Sequence, residues 1–346
     1  DSRDLLDFVA STSQATQVAY WGGRNVYIHG DDERLVSEII VGLTENGRSI
    51  ELIQSVGSRR SEIGAELLLT VVTRAFEEVV REPQKIGMLD RSALRDVFDC
   101  LRQRRDVDRD TLMSLEYRWF PALHSYGEDQ AYALHEYMGE RPEFFVEVLS
   151  HLYRSDAELS SEDDSASEAD EREGKEDNDP GIRERANIAY KILDSWRTLP
   201  GASGDSSIDE EAMIAWVKTA WRLAQEVGRL GVAEREVGRL LAYSPVDRGD
   251  GLWPHLSVRN LIEEVRSSEM ESALVIELFN KRGVHTRSRD GGGDQERELA
   301  RDASDLATKL QGSWPRTAQV LRERAADWIR HAGLEDKWAA EQRISL

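Results

Sequence analysis

An apolar stripe with helical spacing recurs along almost the whole chain. The segment Leu94–Leu101 has apolar side chains at i, i+3, i+4 and i+7, which places them on one face of an α-helix. Comparable stripes occupy four further segments: 35–43, 67–79, 213–227 and 318–329. Val26–Ile28 is the best strand candidate and is too short to build a sheet. The sequence therefore predicts an all-α fold.

The lengths of these segments also predict how the helices are arranged. Stretches of helical pattern alternate with short polar turns, which favours antiparallel packing of neighbouring helices. No residue pattern recurs at a fixed period, so a regular repeat array is not indicated. We expect an irregular, α-solenoid-like stack of antiparallel helix pairs.

Two local patterns make finer predictions. Ser207 is followed three residues later by Glu210, a capping-box spacing that predicts the start of a helix at Ser207. In the last helix, Trp328 and Ile329 continue the apolar stripe of Leu321. Both are expected to point into the core.

An acidic tract interrupts the helical patterns. Residues 155–180 contain twelve Asp and Glu residues but only two basic residues, Arg172 and Lys175. A segment so poor in apolar side chains cannot bury enough surface to offset the entropy of ordering. We predict a disordered acidic linker at 155–180. It would join an N-terminal helical-pair domain at 1–154 to a C-terminal helical domain at 181–346.

Charge and composition exclude several classes of function. The formal net charge is −21, which repels phosphate backbones and anionic lipid and so disfavours nucleic-acid and membrane roles. No apolar run reaches the length of about 18 residues that a membrane span needs. Cys100 is the single cysteine, so neither an internal disulfide nor a zinc site of several thiolates can form. A cytoplasmic location is expected.

The sequence carries no familiar catalytic signature and predicts no cofactor. One helix presents Glu143, Glu147 and His151 at i, i+4 and i+8, and carboxylates with imidazole are a ligand set for iron, manganese or zinc. However, apolar residues mark the other side of that helix, so the three groups are expected on a solvated face. His135 lies among aromatic and leucine positions and is expected to be a structural histidine.

A basic segment stands out in this acidic chain. Lys281–Arg289 has four positive side chains and no acidic one. Its candidate partner- or anion-binding residues are Arg282, His285, Arg287 and Arg289. Arginine holds carboxylate or phosphate groups through two parallel hydrogen bonds. The alternative is a solvated loop balanced by the acidic residues that follow it.

Six short segments resemble one group of proteins. They are Glu143–Leu149, Asp194–Arg197, Leu199–Gly201, Asn280–His285, Gln295–Ala300 and Trp314–Ala318. They resemble the C-terminal helical region of very large, multidomain bacterial proteins of unassigned activity, some of them NTPase-type defence or signalling proteins. The resemblance implies the helical tail of a longer polypeptide, in keeping with a sequence that begins at Asp1 without methionine. It carries over no functional residue.

These observations favour a non-enzymatic scaffold or sensor segment of a larger bacterial protein. Its partner would be a protein or peptide, including other domains of the same polypeptide. Two alternatives stay open. One is an enzyme or regulatory region with a carboxylate and histidine site between helices. The other is nucleic-acid binding through the basic segment 281–289.

Overall fold

The computed structural model confirms the predicted all-α class. It describes residues 2–28, 32–124, 133–157, 180–203, 207–281 and 292–344. The protein is 77% helical, with seventeen helices and no β-strand in these ranges. The nearest approach to a sheet is an isolated bridge between Ala202 and Ile208. Val26–Ile28 forms no strand.

The α-helices are numbered α1 to α16 along the chain. Those up to the acidic tract are α1 Ser2–Ala10, α2 Gln14–Gly23, α3 Glu33–Glu45, α4 Ser49–Ser58, α5 Ala65–Arg81, α6 Arg91–Gln103, α7 Arg109–Leu123, α8 Ala133–Glu140 and α9 Pro142–Leu152. Those after it are α10 Pro180–Ser195, α11 Glu210–Glu226, α12 Leu230–Leu241, α13 Leu256–Val265, α14 Ser268–Asn280, α15 Asp294–Leu310 and α16 Pro315–Ile344. A single 3-10 helix, Pro83–Met88, follows α5.

The contacts divide the chain into two compact units, 1–134 and 135–346. This division differs from the sequence-based one, which placed domains at 1–154 and 181–346. The physical reason is the packing of α9, which contacts α10 and α11. Helix α9 therefore belongs with the helices that follow the acidic tract. Residues 158–179, most of the predicted linker, lie outside the described residues.

Helix α5 is at the centre of the first unit. It contacts α3, α4, α6 and α7. Its buried stripe includes Leu68, Val71 and Val72, none of which exposes any surface. Trp119 of α7 is also buried, and its indole nitrogen donates to the Val72 carbonyl at 3.2 Å. The stripe that the sequence predicted at 67–79 is thus the core of this unit.

Two buried glutamates in this unit bond to backbone groups at the starts of other helices. Glu78 is 3% exposed and accepts from the backbone N–H of Ser49 at 2.7 Å, at the start of α4. Glu116 is 2% exposed and accepts from Leu134 N at 2.6 Å, near the start of α8. A helix N-terminus has unsatisfied N–H groups and a partial positive charge, which explains these buried carboxylates.

Three aromatic rings from separate segments meet in the core of the second unit. The ring centroid of Phe145, in α9, lies 5.7 Å from that of Trp196 and 5.2 Å from that of Trp216, in α11. The two indoles are 5.8 Å apart, and all three side chains are buried. The Trp216 nitrogen donates to the Met138 carbonyl at 3.1 Å. This cluster joins α9 to helices far along the chain.

Helices α15 and α16 form an antiparallel hairpin in the same unit. Trp328 is buried, as the sequence predicted, at 5% exposure. Ile329 is 54% exposed, so the prediction that it faces inward is wrong. The buried positions 318, 321, 325, 328 and 332 advance by three or four residues at each step. This is the helical period. The same helix also buries Thr317, Val320 and Arg324, so its buried face is centred near Trp328 and Ile329 lies at the edge of that face.

The start of α11 differs from the one that the sequence predicted. Helix α11 begins after Asp209, whose side chain accepts from Ala212 N at 3.0 Å. The predicted capping residue, Ser207, is therefore wrong by two positions.

None of the helices in the described ranges has the length and apolar character that crossing a membrane would require.

Candidate anion-binding site

The structure describes only the first residue of the basic segment. Arg282, His285, Arg287 and Arg289 lie outside the described residues. Lys281 is described, directly after α14. Its ammonium group donates to the Ala242 carbonyl at 3.1 Å and lies 4.8 Å from the centroid of the Tyr243 ring. The basic segment therefore starts against the end of α12.

A second cation lies over the same ring. The Arg197 guanidinium is 4.1 Å from the Tyr243 centroid. Arg197 follows the end of α10, and its side chain also donates to the Trp196 carbonyl at 2.8 Å. The sequence singled out Asp194–Arg197 and Asn280–His285 separately. The fold brings the two segments together on one tyrosine.

Tyr243 is held by a buried carboxylate. Its hydroxyl donates to Glu277 at 2.6 Å, and Glu277 is 8% exposed. Burial of the hydroxyl and this hydrogen bond together raise the pKa of Tyr243 to about 12. The phenol therefore stays protonated at neutral pH and keeps its bond to Glu277, which fixes the ring beneath the two cations.

Arg239 of α12 adds a third cation close by. Its guanidinium bonds to Glu236 at 2.9 Å and lies 4.0 Å from Asp194. Burial opposes the charge of Arg239, but Glu236, Glu277 and Asp194 outweigh burial, so its pKa is raised. Arg239 therefore keeps its charge. We refer to Tyr243, Arg197, Lys281, Glu277 and Arg239 as the Tyr243 cluster.

Arg197 differs from Arg239 in its charge balance. Within the described ranges, no carboxylate oxygen lies within ion-pair distance of its guanidinium. The side chain is half-buried, and its contacts are a ring face and one carbonyl. A guanidinium has five N–H donors. Arg197 therefore retains donors for an anion from outside the chain.

His135 and Ser195 lie close together but do not form a nucleophile and base. The His135 Nε2 atom is 3.2 Å from the Ile192 carbonyl and 3.2 Å from the Ser195 hydroxyl oxygen. Since a carbonyl only accepts, Nε2 carries the proton and cannot take another from Ser195. The Ser195 hydroxyl itself donates to the Lys191 carbonyl at 2.7 Å. His135 is thus a structural histidine, as predicted.

The weak metal candidates remain on the surface. Glu147 and His151 form a pair at 3.9 Å with side chains that are 66% and 36% exposed. Glu143 is exposed on the same helix. No group of three or more metal-binding side chains occurs in the part of the chain that the structure describes.

A second histidine and carboxylate pair organises the loop before α13. The Asp247 carboxylate is 3.5 Å from His255 Nε2 and accepts from the backbone N–H groups of Gly249 and Leu256. The other ring nitrogen, Nδ1, accepts from Ser257 N at 3.2 Å and caps α13. Both residues therefore serve the fold of this loop.

The described residues thus form an all-helical protein in which two cations lie over one tyrosine ring. No family model matches the chain, and searches of curated proteins and of solved structures found no similar protein.

Sequence reasoning missed Tyr243 and Glu277 and gave Arg197 no role at the site. Neither Tyr243 nor Glu277 lies in a motif, and the two residues are 34 positions apart in the sequence. The sequence offered one signal for this site. Arg197 and Lys281, which lie over the Tyr243 ring, belong to two of the segments that carry the family resemblance.

Proposed function

We propose that this chain is a non-enzymatic helical scaffold that binds an acidic segment of a partner protein. The binding surface would be the Tyr243 cluster continued by the basic segment 281–289. The observation that carries the proposal is the position of Arg197 and Lys281 over one tyrosine ring, where Arg197 has no carboxylate partner among the described residues. The predicted residues Arg282, His285, Arg287 and Arg289 would extend this surface.

Preorganisation supports binding at this cluster. Ring stacking holds the Arg197 side chain before any ligand arrives, so less rotamer entropy is lost on binding. A carboxylate can accept two parallel N–H bonds from a guanidinium, which adds geometric selectivity. Glu277 is occupied by the Tyr243 hydroxyl. The arrangement therefore favours an incoming anion over a cation.

We also propose that this chain is part of a longer polypeptide. The resemblance of six segments to helical tails of large bacterial proteins supports a segment of a longer cytoplasmic polypeptide. In that setting the acidic partner could belong to another domain of the same polypeptide. The helices would stack as antiparallel pairs, and the acidic tract at 155–180 would serve as a disordered linker, as its composition predicts.

The two alternative functions have weaker support. The net charge of −21 opposes any anionic ligand, and it opposes a nucleic acid more than a short acidic segment, because a duplex carries one negative charge per roughly 1.7 Å of its axis. An enzymatic site of carboxylate and histidine finds no support at Asp247 and His255, because both bond to the backbone of their own loop. The Tyr243 cluster contains no described histidine.

Calorimetric titration of the whole chain with a hexaglutamate peptide tests the proposal. Binding should weaken as salt rises, because exposed charges are screened. Arg197→Gln and Lys281→Gln should each weaken it about five- to tenfold, since each removes a charge-assisted contact. Arg222→Gln is the matched control, because Arg222 is exposed and already paired with Glu226.

A hexaglutamine peptide is the control for non-specific peptide binding. It has no charge and should not bind. Equal binding of the two peptides, or unchanged affinity in both cluster variants, would overturn the proposal. Tighter binding of a short DNA duplex than of hexaglutamate would favour the nucleic-acid alternative instead.

A further inference from the structure

An open cleft lies among the first three helices, in the unit formed by residues 1–134. Its volume is about 470 Å³, within the range of about 300–1,000 Å³ that is usual for ligand clefts. Leu6 and Val9 of α1 and Val41 of α3 supply an apolar lining. Leu6 and Val9 are buried, whereas Val41 is 41% exposed. Solvent therefore reaches this apolar lining mainly at Val41.

Trp21 of α2 also lines the cleft and is held there by a close approach to α3. A Cβ added to Gly42 would lie 2.2 Å from the Trp21 ring, so the indole packs directly on the α3 backbone. Behind it, Arg48 donates to the carbonyls of Trp21, Gly22 and Arg24 at the end of α2. The aromatic wall of the cleft is thus fixed in place.

The cleft is acidic as well as apolar. Asp7, Glu38 and Glu45 line it, against the single cation Arg34. Arg34 bonds to Glu38 at 3.1 Å. Neither Asp7 nor Glu45 has a basic group within ion-pair distance among the described residues. A ligand that fills the cleft therefore meets two carboxylates whose charges are not matched.

We propose that this cleft binds a basic side chain, flanked by apolar residues, from a peptide segment of a partner protein. Long basic side chains lay their methylene stems along apolar surface and keep the charge at its edge. Here the stem would pack on Leu6, Val9 and Val41, and the cation would meet Asp7 and Glu45. The Trp21 ring already has the Arg24 guanidinium 5.8 Å from its centroid, so the ligand's cation is assigned to the two carboxylates. This proposal does not depend on the function proposed for the Tyr243 cluster.

The test uses the whole chain labelled with 5-fluorotryptophan. The probe is the tripeptide acetyl-leucyl-arginyl-leucine amide, and fluorine NMR follows the Trp21 signal, assigned with Trp21→Phe. The peptide should shift this signal in a saturable way. Its citrulline analogue, which has the same shape without the charge, should bind about fivefold more weakly, the size expected for partly exposed charge pairs.

A double variant, Asp7→Asn with Glu45→Gln, should weaken arginine-peptide binding about fivefold as well. Glu66→Gln, which changes an exposed acid outside the cleft, should leave it unchanged. Equal binding of the citrulline peptide, or an unchanged affinity in the double variant, would overturn the proposal. So would concentration-dependent dimerisation that shifts the Trp21 signal without peptide, because the occupant would then be a second copy of the chain.

Discussion

Arginines beside aromatic rings recur in the second unit. Besides Arg197 on Tyr243, the Arg324 guanidinium lies 3.9 Å from the centroid of Trp328, and Arg259 lies 4.4 Å from that of Trp314. Arg259 is fully buried and pairs with Asp250 at 2.8 Å. A planar, weakly hydrated guanidinium tolerates such burial better than an ammonium group would. Arg259 and Arg324 are therefore charged residues of the core.

Replacing Trp328 by alanine should strongly destabilise the second unit. The indole is 5% exposed and packs on Phe279 at 5.3 Å. Loss of a buried tryptophan costs roughly 3–5 kcal/mol of unfolding free energy. Urea unfolding measures the change. Trp338→Ala, at a position 58% exposed, is the control and should change stability by less than about 0.5 kcal/mol. Comparable losses in the two variants would contradict the assignment of Trp328 to the core.

Asp247 should make stability depend on pH in the acid range. Its hydrogen bond from Leu256 N, with those from Gly249 and Asp250, holds its pKa below the ordinary value of 3.8. The charged form is thus favoured by folding, and its stabilisation is complete well above pH 3.8. This contribution is lost as pH falls through the lower native pKa.

Urea unfolding over about pH 2–6 checks this expectation. Asp247→Asn should lower stability at pH 6 and flatten the decline towards low pH. Asp302→Asn, at an exposed position on α15, should keep the wild-type decline. A decline as steep in Asp247→Asn as in wild type would show that other carboxylates are responsible.

At the scale of elements, sequence periodicity predicted the helices well, and capping patterns predicted their ends less well. The i, i+3, i+4 pattern is a local property, and the buried stripes of α5 and α6 follow it. The start of α16 is different. Glu263 of α13 accepts from the backbone N–H groups of Arg316 and Thr317, so that carboxylate comes from 53 positions away. Local sequence cannot reveal a cap of this kind.

Close packing of α12 on α14 makes a second prediction at this scale. A Cβ added to Gly238 would lie 2.1 Å from the Met270 carbonyl oxygen. Gly238→Ala should therefore push the two helices apart and cost about 1–3 kcal/mol, as overpacking does. Gly231→Ala, in the same helix, meets only the end of Arg235 at 3.8 Å. It should be neutral or stabilising by up to about 1 kcal/mol.

Thermal melts of the two glycine variants provide the measurement. Destabilisation by both alanines to the same degree would contradict the assignment of the Gly238 effect to the contact with Met270.

At the scale of the whole molecule, the division predicted from composition lies at the acidic tract, whereas the contact-based division lies between residues 134 and 135. The tract marks a change in charge, whereas units are defined by packing. Phe145 precedes the tract and Trp196 and Trp216 follow it, yet their rings lie within 6 Å of one another. Sequence alone predicts that each is buried without showing that they meet. The same limit applied to Arg197 and Lys281 at the candidate site.

Two fragments of the chain test whether its units divide near residue 134, as the contacts indicate, or at the acidic tract, as composition predicts. A fragment of residues 131–346 keeps α8 and α9 and should unfold cooperatively with a native near-ultraviolet signal. A fragment of residues 181–346 lacks Phe145, and the ring cluster with Trp196 and Trp216 would be incomplete. We expect it to bind a hydrophobic dye and to lose cooperativity, as loosely packed states do. Cooperative unfolding of the shorter fragment would restore the sequence-based boundary.

The contact between α9 and α10 has a consequence for the segment that joins them. Because both helices pack in the same unit, the segment that joins them is a loop with both ends held in that unit. Its described start is bonded there as well, since Asp156 N donates to the Gly228 carbonyl at 2.8 Å. The entropy of closing a flexible loop grows only with the logarithm of its length. Doubling the segment should therefore cost only about 0.6 kcal/mol. Insertions and deletions within 158–179 leave the bonds of Tyr153 and Asp156 in place and should be nearly neutral for folding. The length and composition of that stretch can then change while α9 and α10 keep their contact.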